Sequence, residues 1–256
     1  MRRMEKGVLT VFLRGFGLLL LAGVLGTGIA TVRYFSGERP HWSSARWDSA
    51  GSAPDPTAER EAIIQVYGAR AWGWRGIFGM HTWIAIKREN APIFERYEVV
   101  GFGVSGGARA VRRNRYPVDA YWAGNAPVLL GEIRGERAAA AIPRLIEAVD
   151  AYPYDHRYTI WPGPNSNSFT AFVLRRAGGI GIELPPLAVG KDYIGQGRWY
   201  ARAPSGTGFQ FSMMGLIGMT IAADEGLEIN LLGLTFGVDF TRPALKLPGL
   251  GRIGLS

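Results

Sequence analysis

Two stretches of the chain carry residue types suited to a nucleophile and a base. The first is Trp161-Pro162-Gly163-Pro164-Asn165-Ser166-Asn167-Ser168-Phe169. Pro162 and Pro164 stiffen a loop, and Asn165 to Ser168 are all helix N-cap types. Phe169, Phe172, Val173 and Ala177 then recur at helical spacing, and Gly178-Gly179 stops the helix. A hydroxyl on Ser166 or Ser168 would stand among unpaired amides at the positive end of a helix dipole, where a nucleophile or an anion is stabilised. The second is His81, which follows a glycine-rich turn and begins an alternating segment, Met80 to Lys87. An imidazole can accept a serine proton when a third polar group orients it. Glu98 and Tyr97 on the next strand, and Asn167, are the candidates. The competing reading is structural: a well-capped helix and a strand histidine bonded to a backbone carbonyl.

Other chemistries are harder to place. The chain has no cysteine, which excludes disulfides, thiolate metal sites, a thiol nucleophile and a lipoprotein anchor. Its three histidines, His41, His81 and His156, form no metal-ligand spacing with carboxylates, and no cofactor is implied. The glycines of Gly101 to Gly107 follow a strand but precede a basic loop, so they read as a turn and not a phosphate cradle. The formal charge is +8, which suits an anionic bilayer. The densest basic cluster, Arg109 to Arg115, lies in a loop without any nucleic-acid-binding pattern.

The elements that must hold these residues follow from patterning. Arg2, Arg3 and Lys6 precede an apolar run from Val8 to Val32, interrupted once by Arg14. The uncharged part, Gly15 to Val32, is at the lower length limit for a membrane span, and the basic end marks the cytoplasmic side. Gly28-Ile29-Ala30 loosely resembles a cleavage site, but the run is long for a signal sequence, so an uncleaved single-pass anchor is expected. Gly23, Gly26 and Gly28 could admit a neighbouring helix. Residues 1–35 are thus the cytoplasmic N-terminus and anchor. Ser36 to Thr57, rich in Ser, Pro and Gly, reads as a linker. Residues 58–195 carry strands at about 62–69, 80–87, 94–102 and 127–133, and helices at about 136–151 and after Asn165. Pro143 is awkward within the first helix, unless it kinks the helix or marks its first turn. Residues 196–256 hold short apolar segments between glycines, expected as an antiparallel β layer packed on the main sheet. The tail from Pro243 would lie along the domain or the bilayer. The expected fold class is α+β.

His81-Thr82-Trp83-Ile84-Ala85 opening a strand, followed much later by Asn165-Ser166-Asn167-Ser168-Phe169 opening a helix, resembles the circularly permuted papain-like hydrolases and acyltransferases, relatives of the NlpC/P60 peptidases and of lecithin retinol acyltransferase. In those families a histidine precedes a cysteine that follows an asparagine at a helix start, with an aromatic residue three positions later. Asn165, Ser166 and Phe169 match, with Ser166 in the cysteine's place. Ser-Asn-Ser-Phe before Ala171-Phe172-Val173-Leu174 also resembles a bacterial group of unknown function whose helix opens cysteine-asparagine-threonine-tryptophan. The stretch from Val66 to Ile194 is similar to an uncharacterised proteobacterial membrane-protein family.

The resemblance implies a permuted papain-like domain on the periplasmic side of the inner membrane, with Ser166, His81, Asn165 and Asn167 as catalytic residues. The substrate would be an envelope amide or ester, in a groove lined by Trp83, Trp161, Tyr97 and Glu98. Serine departs from the family's cysteine: it needs a positioned base, whereas a cysteine beside histidine is already largely thiolate. The alternative is an inactive envelope module in which Trp72, Trp74, Trp83, Trp122 and Trp161 line a groove for a peptide, glycan or lipid.

Overall fold

Apolar residues alternating through four of its segments fold residues 63–134 into a five-stranded antiparallel sheet. Its strands are β1 (Ile63–Arg70), β2 (Met80–Lys87), β3 (Glu95–Val99), β4 (Val111–Arg113) and β5 (Val128–Arg134). They are ordered β4-β3-β2-β1-β5. The computed structural model describes residues 2–38 and 41–254; the parts of the linker and tail expectations that fall on 39–40 and 255–256 lie outside them. The third strand is shorter than its sequence pattern, and the basic loop contributes β4 to the sheet edge.

The two faces of this sheet have different covers. Ile64, Val66, Ile84, Ile86, Tyr97 and Val99 face α2 (Gly135–Asp150) and α3 (Ser166–Ala177) in one continuous core. The buried stripe of α2 is Ala138, Ala141, Ile142, Leu145, Ala148 and Val149. Pro143 sits in mid-helix and not in its first turn. It and Ala139, whose carbonyl loses its donor, both face solvent, so water can take the missing bond's place. On the opposite face, Tyr67, Ala69, Trp83 and Ala85 are covered by Trp122, with Trp42, Trp47, Phe94, Tyr116 and Val118 around them. The linker reading is corrected here. Trp42 and Trp47 pack under the sheet, and Asp119 accepts hydrogen bonds from Ser49 Oγ and from the Ser52 and Ala53 amides at 2.7, 2.6 and 3.0 Å. Serine and proline content marks irregular backbone, not freedom from packing.

The C-terminal segment forms a second antiparallel sheet of seven strands in sequential order. They are β6 (Tyr200–Arg202), β7 (Gly208–Met213), β8 (Ile217–Ala222), β9 (Gly226–Leu231), β10 (Leu234–Asp239), β11 (Ala244–Leu247) and β12 (Gly251–Gly254). The tail is therefore two strands of this sheet. Its register sorts side chains by face. Rows such as Tyr200-Phe211-Met219-Ile229-Phe236 and Phe209-Ile221-Leu227-Val238-Leu245-Ile253 share one face. Gln210, Thr220, Glu228 and Lys246 form a row on the other and are buried.

This buried polar face meets the segment that runs from the end of α3 to β6. Lys191 donates to Glu228 at 2.5 Å, Lys246 donates to the other Glu228 oxygen at 2.9 Å and also pairs with Glu183, and Ser212 Oγ donates to the Asp192 carbonyl at 2.5 Å. Burial lowers the pKa of the Lys191 ammonium, but Glu228 and Asp192 outweigh it and raise it.

Ahead of both sheets, α1 (Arg2–Ser36) contains one segment, Gly17–Ser36, long and apolar enough to cross a membrane. Its glycines admit not a second helix but the C-terminal sheet. A Cβ on Gly23 would stand 2.3 Å from the Phe236 ring, and one on Gly26 would stand 3.0 and 3.1 Å from Pro248 and Leu250. Gly28 has nothing within 4 Å.

Candidate functional site

Asn165 adopts extended backbone just before α3, and its side-chain oxygen accepts from the Asn167 and Ser168 amides at 3.0 and 3.1 Å. Ser168 Oγ accepts in return from the Asn165 amide at 2.7 Å, closing a capping box. Ser168 is thereby consumed as a cap. Ser166, the first residue of the helix, is not. Its Oγ makes no hydrogen bond among the described residues and is not sealed from solvent. Its backbone N–H is one of the helix's orphan donors.

The two asparagines hold this hydroxyl in place without sharing its chemistry. Asn165 Nδ2 donates to the carbonyls of Ile160 and Val189 at 2.9 and 3.1 Å. Asn167 Nδ2 donates to Met80 and Val189 carbonyls at 2.9 and 2.8 Å, while its oxygen accepts from Thr82 Oγ1 at 2.9 Å. Asn167 therefore pins the start of α3 to the start of β2, and the Nδ2 groups of both asparagines are committed to backbone carbonyls.

His81 stands one residue along β2 from that pin. Alternation turns its ring away from Thr82 and α3, onto the face that carries Trp83. There His81 Nε2 lies 2.8 Å from Glu98 Oε2, and the ring stacks on Trp122 with centroids 3.5 Å apart and planes 7° from parallel. Arg96 Nη2 donates to the same Glu98 oxygen at 2.9 Å, and its guanidinium sits 4.1 Å from the centroid of Trp83. Burial lowers the His81 pKa more than Glu98 raises it, so the imidazole is held neutral. Burial pushes the Glu98 carboxyl up, but the His81 hydrogen bond and the Arg96 charge prevail and hold it ionised. A neutral imidazole that gives its Nε2 proton to a carboxylate keeps the lone pair on Nδ1. His81 Nδ1 has no hydrogen-bond partner among the described residues and is not sealed from solvent.

Ser166 and His81 thus belong to opposite faces of the sheet, yet both line one cavity of about 1110 Å³. This is possible because the sheet ends at Met80 and His81, and the cavity wraps that end. No hydrogen bond joins the two side chains in this structure. The rest of the wall is strongly aromatic and includes Trp42, Trp72, Trp74, Trp122, Tyr158 and Trp161. His156 lies on it as well, and the turn at Gly101 to Ser105 forms part of its rim.

Three of the expected groove residues, Trp83, Tyr97 and Glu98, do not line the cavity. Trp83 is fully buried, with its indole N–H donating to the Val118 carbonyl at 2.6 Å. Tyr97 faces the helices and donates to Glu95 at 2.6 Å. Glu98 touches the cavity only through His81. Trp161 does line it, and its indole N–H donates to the Leu232 carbonyl at 2.8 Å. The sequence reading missed Arg96. The signal was present: two opposite charges, Arg96 and Glu98, two apart on a strand that is otherwise buried.

A family model described as "Protein of unknown function (DUF3750)" matches residues 61–193, which hold β1 through α3 and every residue of the His81 and Ser166 arrangement. No curated protein and no solved structure matches the chain.

Proposed function

We propose, for a chain that belongs to the DUF3750 family of proteins of unknown function, that the cavity hydrolyses or transfers an acyl group with Ser166 as nucleophile and His81 as base. The observation that carries this reading is the pair of unbonded atoms, Ser166 Oγ and His81 Nδ1, on one cavity wall, with Nε2 of the same imidazole held by a buried carboxylate. Ser166 Oγ adds to the carbonyl carbon of an ester or amide, and its proton passes to His81 Nδ1, directly after side-chain rotation or through one bridging water. The oxyanion is met by the Ser166 amide and the positive end of α3. Collapse of the tetrahedral species expels the leaving group, which takes the proton from His81, and leaves Ser166 acylated. Water or an acceptor alcohol or amine then releases the acyl group by the same steps in reverse order. Glu98 fixes the tautomer, and Arg96 keeps Glu98 ionised.

The helix-borne serine and strand-borne histidine support the likeness to permuted papain-like enzymes. The apolar helix ahead of the domain supports a single-pass anchor in the inner membrane, with the cavity on the periplasmic side. A second reading has one observation in its favour. Five tryptophans line a cavity in which serine and histidine make no mutual hydrogen bond, which suits a module that only binds an envelope peptide, glycan or lipid.

The deciding experiment treats the purified full chain with an alkyl fluorophosphonate and maps the adduct by mass spectrometry. Phosphonylation of Ser166 that is absent in Ser166→Ala and slowed in His81→Gln supports catalysis. An unlabelled Ser166 in folded protein leaves the binding module.

A further inference from the structure

In an antiparallel sheet at the edge of a water-soluble domain, the apolar face packs inward and the polar face meets water. The C-terminal sheet is inverted. Its polar row is buried against Glu183, Lys191 and Asp192 of the segment that follows α3, and Phe209, Phe211, Met213, Ile217, Met219 and Ile221 stand exposed on the outer face. Seven strands about 4.8 Å apart make that face about 30 Å wide, larger than the apolar patches soluble monomers usually show. Arg202, at the edge, is its only charged residue among the described strand positions.

The apolar helix identifies what covers this face. Within the candidate span Gly17–Ser36, Gly23 touches Phe236, Gly26 touches Pro248 and Leu250, and Thr27 and Ala30 touch Gly249. These contacts run along about 10 Å of the helix axis, in the middle of the span. A helix that crosses hydrocarbon at this level brings β10, and the turn that follows β11, to the same depth. Trp199, Tyr200, Arg198 and Arg202, exposed at the far edge, are the residue types that settle at a membrane's polar boundary.

We propose that the outer face of the C-terminal sheet lies in the bilayer beside α1, a lipid-facing platform formed by a soluble-looking β layer. This rests on reading α1 as the anchor, and it is independent of the acyl chemistry. The backbone groups of β7 to β11 are paired within the sheet, so only the two edge strands, β6 and β12, carry ladder groups that a lipid-facing position leaves to be satisfied by other partners.

The chain has no cysteine, so single labels report single sites. Full-length Leu21→Cys, Phe211→Cys, Met219→Cys, Ile221→Cys and Glu147→Cys are labelled with a polarity-sensitive dye. They are then reconstituted into phosphatidylcholine–phosphatidylglycerol vesicles, with and without acyl-chain nitroxide lipid. The expected result is blue-shifted emission quenched by nitroxide at 21, 211, 219 and 221, and a water-like, unquenched signal at 147. Lipid at 21 with water at the three sheet sites overturns the proposal and leaves the anchor. Water at all four overturns both. Sheet sites that are blue-shifted but unquenched also overturn it, and show a second copy or another protein covering the face. Phosphonate labelling of Ser166 in the same samples reads the catalytic proposal separately.

Discussion

The imidazole of His81 lies flat on the indole of Trp122, 3.5 Å between centroids, while its edge is bonded to Glu98 at 2.8 Å. One contact fixes the plane of the ring and the other its rotation, so a strand-end histidine has a single orientation toward the cavity. Trp122 also packs edge-on against Trp47. Replacing it by Ala should cost about 3–5 kcal/mol in chemical denaturation. Trp122→Phe, which keeps a ring, should recover most of that cost, and it should lower kcat more than it raises KM once a substrate is in hand.

Burial sets the acid limit of the site. The His81 pKa is lowered from its usual value of about 6.5, so between the folded and unfolded values the unfolded chain holds more protons. Stability therefore rises with pH through that window; this contribution is complete above about 6.5 and is lost as pH falls through the folded value. Denaturation curves from pH 5 to 8 should show this slope, and His81→Gln should remove its share. The acid limb of the Ser166 phosphonylation rate should likewise fall below 6.5.

Glu98 is ionised between His81 and Arg96 with no solvent contact. Glu98→Gln removes the only carboxylate ion-paired with Arg96 among the described residues and should destabilise the chain by about 3–5 kcal/mol. A variant that unfolds no more easily than the parent would contradict the ionised assignment. Adding Arg96→Met to Glu98→Gln should restore part of the loss, because it removes the stranded charge.

The cap of α3 depends on a close approach. Gly190 has φ +101°, and a Cβ there would stand 2.3 Å from Asn165 Nδ2. Gly190→Ala should destabilise by more than Asn165→Ala, whose cap loss is about 0.5–2 kcal/mol. The two changes combined should fall short of their sum, since both act on one side chain.

Lys191 is buried with Glu228. Lys191→Met should cost about 3–5 kcal/mol by leaving that carboxylate short of a partner. The measurement is thermal unfolding of the full chain in detergent.

The α+β class and most elements were legible because alternation and helical spacing report burial directly. The α3 start was legible to within four residues, since Asn165, Ser166, Asn167 and Ser168 are all types that satisfy free amides at a helix end; which of them caps it was not. Alternation also separates the faces of a strand, but it does not say what covers each. That is why Tyr97 and Trp83 could be mistaken for groove residues, and why the outward apolar face of the C-terminal sheet was invisible before tertiary structure. The shared cavity of His81 and Ser166 likewise depends on where the sheet stops, a property of register and not of either residue.

The family segment closes at residue 193, two positions after Lys191 and one after Asp192, whose partners Glu228, Gln210 and Ser212 come later in the chain. Scissors applied at that boundary would strip a lid from charged groups and leave them facing water on a surface shaped for protein. The smallest piece worth expressing therefore extends through β12, and homologous segments grafted without their own β layer should come out of cells as aggregates.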